Sequence, residues 1–278
     1  MAEKLQPTPF ELAADRVALA GEEVGEGPPV VLAHGLTATR RYVLHGSVAL
    51  ARKGHRLLSY DARGHGDSSP APEGGGYSYE NLTADMRAVL DGEGAGEAPV
   101  LAGHSMGAHT AVSLALSRSH ELGGLVLICP ASLGEPLPGE VLEEWDRLAE
   151  GLEQGGVDGF IAAYDRDLDP EWRETLLRIA RERLSAHRDP KAVAAALREV
   201  PRSLPFEGIS ELEFVDVPTL VVASRDEADP GHPYAVAEAW SERIPNATLI
   251  SEEPGDSPLA WQGGRLSRVI AEFIGREA

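Results

Sequence analysis

The sequence predicts an α/β protein, a mostly parallel central sheet with helices on both faces, and three observations carry that expectation. Short continuous apolar runs recur along the chain, amphipathic stretches with helical spacing lie between them, and one long segment has helical spacing alone. The runs are Pro29 to Ala33, Arg56 to Tyr60, Pro99 to Ala102, Leu125 to Ile128 and Pro218 to Ala223, with Ala247 to Ser251 as the last strand. Runs of this length without polar alternation suit strands buried on both faces. The helical stretches between them are Ser47 to Lys53, Ser78 to Leu90, Ser105 to Arg118 and Pro233 to Arg243. From Leu133 to Ser210 no strand pattern occurs. Four helical stretches (Glu140 to Leu152, Val157 to Tyr164, Glu171 to Leu184, Lys191 to Val200) are punctuated by Gly155-Gly156, Asp169-Pro170 and Asp189-Pro190. The expected organisation is a core of residues 1–132 and 211–278 with residues 133–210 as a helical cap over the carboxyl ends of the strands, where open α/β sheets bind ligands.

Composition narrows the function. The chain has 278 residues, 42% hydrophobic and 25% charged, enough to bury a large core. Its 45 acidic against 25 basic residues give a formal charge of -20, which repels a polyphosphate backbone and an anionic membrane surface. Nucleic acid and membrane are therefore not expected partners. The single cysteine, Cys129, excludes a disulfide framework and a thiolate-rich metal site. No zinc spacing and no phosphate loop ahead of a lysine occurs, so no metal and no cofactor are expected. Met1 to Leu12 has neither the basic start nor the apolar run of a leader, and a cytoplasmic location is expected. The oligomeric state is left open.

The strongest chemical signal is Gly103-His104-Ser105-Met106-Gly107, between a buried strand and a helix. A sharp strand-to-helix turn needs small neighbours and lifts the hydroxyl of Ser105 out of the sheet. The helix amino terminus beneath it adds N–H groups and positive dipole for a developing oxyanion. Ala33-His34-Gly35-Leu36 follows the first buried strand, where the glycine lets a backbone N–H face the serine. The N–H groups of Leu36 and Met106 are assigned to an oxyanion hole. Asp61 to Ser68 reads as a tight, Gly-rich scaffold turn.

These three motifs, in this order and spacing, resemble the α/β-hydrolase superfamily over nearly the whole chain. The resemblance implies the α/β-hydrolase fold, a nucleophile at Ser105, an acid after the strand Pro218 to Ala223 and a histidine after the last strand. A serine at the elbow implies an ester, thioester, amide or C–C bond hydrolase acting on a small acyl substrate, not a haloalkane dehalogenase or epoxide hydrolase. For the acid the sequence offers Asp226 and Asp229, the latter preferred for its Asp-Pro-x-x-Pro-like setting. The expected histidine is absent: the slot after Gly255 holds Asp256, and no histidine occurs beyond His232. A carboxylate has an ordinary pKa of about 3.9 against about 6.5 for histidine, so Asp256 needs strong desolvation or like-charge neighbours to act as base. His232, in the loop that carries the candidate acid, is the favoured replacement. His109, one turn after Ser105, is expected to point along its helix, while His45, His55, His120 and His187 read as surface residues.

Candidate substrate contacts are His34 and Gly35 beside the oxyanion hole, Arg41 of the Arg40-Arg41 pair, Trp145 in the insertion and Trp261. Three functions follow: a carboxylic ester hydrolase with a non-standard base, a catalytically silent ligand-binding protein of the same fold, and a lyase or cyclase that uses the oxyanion hole without an acyl-enzyme.

Overall fold

The computed structural model describes residues 5–92, 95–96, 98–166, 168–225, 229–253, 261 and 263–277. The apolar runs form strands β3 (Pro29–Ala33), β4 (Arg56–Tyr60), β5 (Val100–His104), β6 (Gly124–Ile128), β7 (Thr219–Val222) and β8 (Ala247–Ile250). All six are parallel, and the sheet order is β1-β2-β4-β3-β5-β6-β7-β8. Two strands not anticipated from the sequence, β1 (Thr8–Ala14) and β2 (Val17–Val24), add an antiparallel hairpin at the β4 edge.

Successive strand residues feed opposite faces, as the pleat requires. Val31, Ala33, Leu58, Tyr60, Leu101, Leu125, Leu127 and Val221 pack with residues of helices α1 (Tyr79–Gly92), α2 (Met106–Arg118) and α6 (Tyr234–Arg243). Val30, Leu32, Leu57, Ala102, Val126, Ile128 and Val222 pack with Leu266, Ile270 and Phe273 of α7 (Gly263–Glu277) and with Val43, Leu44 and Leu50 of the β3–β4 connection. A fully buried leucine contributes roughly 1.5–3 kcal/mol. The helix expected over Ser47 to Lys53 is corrected: the segment is turns closed by one short 3₁₀ turn at Ala51–Lys53. Gly46 (φ 71°) and Gly54 (φ 89°) bracket it in left-handed backbone, and seven residues between such breaks are too few to nucleate a helix.

Between β6 and β7 the expected helices form. The helical pair expected on either side of Gly155-Gly156 is α3 (Gly139–Tyr164), bent at Gly156, where φ is 60° and ψ −149°. Its two arms pack so closely that a Cβ on Gly151 would lie 2.6 Å from the carbonyl oxygen of Gly159. Helices α4 (Arg173–Leu184) and α5 (Pro190–Glu199) complete the insertion. Asp189 caps α5: one carboxylate oxygen accepts from the N–H groups of Lys191 (3.0 Å) and Ala192 (3.2 Å), with Pro190 at the first helical position. The insertion has its own core around Leu148, Leu152, Phe160, Leu184, Val193 and Leu197, against which Leu36 of the β3–β4 connection packs. Among the described residues no helix is long and apolar enough to cross a membrane.

Candidate active site

Ser105 stands between β5 and α2 at φ 51° and ψ −115°, a conformation that side chains rarely adopt. It is held there from both sides. Its N–H donates to the carbonyl of Ile128 at 2.9 Å, and its carbonyl accepts from the N–H groups of Ala108 (2.8 Å) and His109 (3.1 Å). The flanking glycines are required by contact, since a Cβ on Gly103 would lie 2.2 Å from the carbonyl of Gly107, and one on Gly107 2.1 Å from the carbonyl oxygen of Ala33. The strand-to-helix turn read in the sequence is therefore a close backbone crossing that leaves no room for a side chain at either glycine.

The loop after β3 reaches this turn. A Cβ on Gly35 would sit 2.9 Å from His104 Nδ1 and 3.3 Å from Ser105 Cβ, so the backbone before Leu36 lies against the serine. His34 fixes the loop: the N–H of Ala62 donates to its Nε2 at 2.9 Å, which leaves the proton on Nδ1, donated to the carbonyl of Gly35 at 2.9 Å. Burial pushes the pKa of His34 down to about 4, so the ring is neutral and keeps this tautomer. Behind it the ring of His65 lies 5.2 Å from His34 and 5.5 Å from His187. The surface reading of His187 is corrected, because it is buried: its Nδ1 accepts from Gly66 N–H (2.8 Å), and its Nε2 donates to the carbonyl of Thr37 (3.0 Å). The insertion thereby clasps both the loop after β3 and the Gly-rich turn after β4. No sequence signal separates such a histidine from a surface one, since its partners lie 121 and 150 residues away.

In the loop after β7, His232 Nδ1 and Asp229 Oδ2 are 2.7 Å apart. The His232 ring packs on that of His104, the residue before Ser105, with centroids 5.4 Å apart. Burial disfavours the charge on Asp229, but the His232 hydrogen bond, the imidazoles and Arg183 outweigh it and hold the carboxyl below its usual range. Burial, with the charge of His232, pushes His104 down to about 3. The loop bearing this pair is anchored by a buried carboxylate, Glu252, which accepts from Ser224 Oγ (2.8 Å), Arg225 N–H (2.6 Å) and Trp261 Nε1 (3.2 Å). Arg225 also lies 3.8 Å over the ring of Tyr234, at the start of α6. Asp226 and Asp256 lie outside the described residues.

His109 follows its helix, as its spacing predicts. Its Nδ1 donates to the carbonyl of Ser105 (2.9 Å) and its Nε2 accepts from Ser132 Oγ (3.1 Å), while burial pushes its pKa to about 4. Arg40 pairs with Asp61, with Asp67 (3.0 Å) and with Glu22 (3.8 Å), which ties it to the scaffold; Arg41 is exposed, beside Gly46. Trp145 packs on the insertion core, as Leu36 does. Trp261 donates to the carbonyl of Ala223 at 2.8 Å and so braces the end of β7. Met106, at the first position of α2, is buried against Ala62, Tyr79 and Leu82. Sequence reasoning passed over Glu252 and Arg183: the one is an ordinary surface residue type at a strand end, the other one of four arginines along α4.

A mostly parallel eight-stranded sheet of this order, with a sharp strand-to-helix turn after β5, defines a class, the α/β-hydrolase fold. A profile of the alpha/beta hydrolase family matches residues 30–263, and the chain belongs to that family, with which a hydrolase-type function goes. A putative non-heme chloroperoxidase of Synechocystis is 29% identical over 91% of this chain and 93% of that protein. The sn-1-specific diacylglycerol lipase ABHD11 of Mus musculus is 36% identical, over 38% of this chain and 34% of its own length. Among solved structures, a malate-bound thermophilic esterase from Thermogutta terrifontis superposes with a TM-score of 0.75 and 25% identity, covering 98% of this chain and 99% of that one.

Proposed function

We propose that the protein hydrolyses a carboxylic ester through Ser105, with His232 as general base, Asp229 as its orienting acid and the N–H groups of Leu36 and Met106 as the oxyanion hole. The observation that carries the reading is the Asp229–His232 pair packed on His104, one residue from the elbow. It supplies an imidazole where the loop after β8 supplies none. Asp229 accepts from Nδ1, which leaves Nε2 with the lone pair that a base needs. In the first half-reaction His232 takes the Ser105 proton as the hydroxyl oxygen bonds to the ester carbonyl carbon. The negative charge that forms on the carbonyl oxygen is received by the two N–H groups, at the positive end of α2. The protonated imidazole then gives its proton to the departing alkoxide, and water repeats the sequence on the acyl-enzyme.

The packing of Leu36 on the insertion core supports residues 133–210 as a cap over this site. The esterase and lipase among the similar proteins support an ester over an amide, because an alkoxide leaves without the stronger protonation an amine requires.

The test is turnover of p-nitrophenyl butyrate together with fluorophosphonate labelling read by intact mass. Ser105→Ala is expected to abolish both, and His232→Ala to lower kcat about 10²- to 10⁴-fold, the contribution of a positioned base. Asp229→Asn is expected to lower it less, and Asp256→Ala to leave the rate within a few-fold. Loss of activity in Asp256→Ala with retention in His232→Ala would move the base to Asp256. Absence of labelling in the wild type at any pH from 5 to 9 would favour the ligand-binding reading, which the missing histidine after β8 already recommends.

A further inference from the structure

We propose that Arg183, on the last turn of α4, is a receptor for a carboxylate on the substrate, so that the esters this site prefers are anionic ones, such as half-esters of short dicarboxylic acids. The inference rests on the reading of Ser105 as nucleophile and adds the substrate class to it. Arg183 differs from the other arginines of its helix. Arg173 pairs with Asp165, Arg178 with Glu182 (3.1 Å) and Arg181 with Asp158 (2.5 Å), all at exposed positions. Arg183 has no ion-pair partner among the described residues, and its Nε is buried without a hydrogen bond. A buried, unsatisfied guanidinium N–H costs free energy unless something supplies an acceptor.

Its position relates that deficit to the site. The next residue, Leu184, is buried in the insertion core, and three residues beyond it His187 is bonded to Thr37 and Gly66. The end of α4 is thus fixed over the loop that carries Leu36. The charge of Arg183 is felt by His104 and Asp229 on the floor of the site and by His45, His187 and Tyr164 around it. Asp229, the nearby acid, spends its hydrogen bond on His232 and makes no ion pair with Arg183. A guanidinium fork of this kind matches a carboxylate with two parallel N–H donors. A local cation is also what an anionic substrate needs to approach a molecule of net charge -20.

The experiment compares p-nitrophenyl hemiglutarate with neutral p-nitrophenyl valerate in wild type, R183M and R183K. The ratio of the two kcat/KM values is the readout, because a merely structural role for Arg183 lowers both rates together and leaves the ratio fixed. The wild type is expected to favour the anionic ester, and R183M to lower the ratio about tenfold or more, the factor of one charge-assisted hydrogen bond. R183K should fall between them, since it keeps the charge and loses the fork. A second arm needs no turnover: calorimetric titration of Ser105→Ala and of Ser105→Ala with R183M, using glutaric acid mono-anilide against the corresponding uncharged diamide. A selective loss of mono-anilide affinity in the double variant is expected. An unchanged ratio with Ser105 still labelled by fluorophosphonate overturns the role of Arg183 and leaves the hydrolase reading standing. Failure of labelling with selective mono-anilide binding does the reverse, and equal binding of the two ligands overturns the proposal in the second arm.

Discussion

Ser105 occupies backbone that costs free energy for any residue with a Cβ, and the cost is met by Ile128 above it and the first turn of α2 below. Removing the Cβ should release that strain. Ser105→Gly is expected to raise unfolding free energy by about 1 kcal/mol, whereas Ser105→Ala, which keeps the Cβ, should not, as guanidinium titration of both variants would show. An equal gain in the two would place the effect in the lost hydroxyl and not in the backbone. This residue was legible from sequence because the tight turn around it leaves no room for a side chain at Gly103 or Gly107, and two glycines flanking a serine between a strand and a helix are visible in the chain itself. The partner of the serine was legible only as one of two readings. His232 and Asp229 are three residues apart and fall on one turn, a local relation, while their distance from Ser105 is set by how β7 and β5 lie on either side of β6. Arg183 was not legible at all, since nothing within α4 distinguishes it from the three arginines that pair on the surface.

The elements show the same division between local and distant causes. The six parallel strands announce themselves as apolar runs, but the β1–β2 hairpin does not, because its strands are half exposed and its turn, Asp15-Arg16, has positive φ at both residues without the glycine that marks such turns. At the other end of the scale of burial, Arg63 in the turn after β4 and Asp85 in α1 are each 1% exposed. Arg63 donates to both Asp85 oxygens at 2.7 Å, and its remaining donors reach the carbonyl of Gly76 (2.7 Å) and Asn81 Oδ1 (3.0 Å). The pair fixes the turn that also supplies Ala62 N–H to His34. Asp85→Asn leaves a buried guanidinium without its counter-charge and should cost about 3–5 kcal/mol, measured as a lower urea midpoint. The double variant Arg63→Met with Asp85→Leu, which buries no charge, should recover most of that loss. A double variant as unstable as the single one would mean that the hydrogen bonds to Gly76 and Asn81, and not the ion pair, hold the turn.

Across the whole molecule the titratable groups act together, and two effects of opposite sign compete as the solution is acidified. The net charge of -20 destabilises the compact state by self-repulsion, so protonating carboxylates relieves it. Against this stand His34, His65, His104, His109 and His187, all held neutral chiefly by burial, with His34 and His109 pushed to about 4 and His104 to about 3. For each of them the unfolded chain binds a proton near pH 6.5 that the folded chain refuses until a lower pH. The stability they contribute is therefore complete above about pH 6.5 and is lost as the pH falls toward 4, with a slope of up to about 1.4 kcal/mol per pH unit for each histidine. The repulsion is spread over the surface and is screened by salt, whereas the buried rings are not. In 0.5 M sodium chloride the urea midpoint should thus fall steadily from pH 7 to pH 5, and His187→Gln, which removes one of the refused protons, should flatten the slope. A midpoint that stays level or rises on acidification in high salt would mean that these rings accept protons in the folded state, which the bonds of His34 to Ala62 and of His187 to Gly66 do not allow.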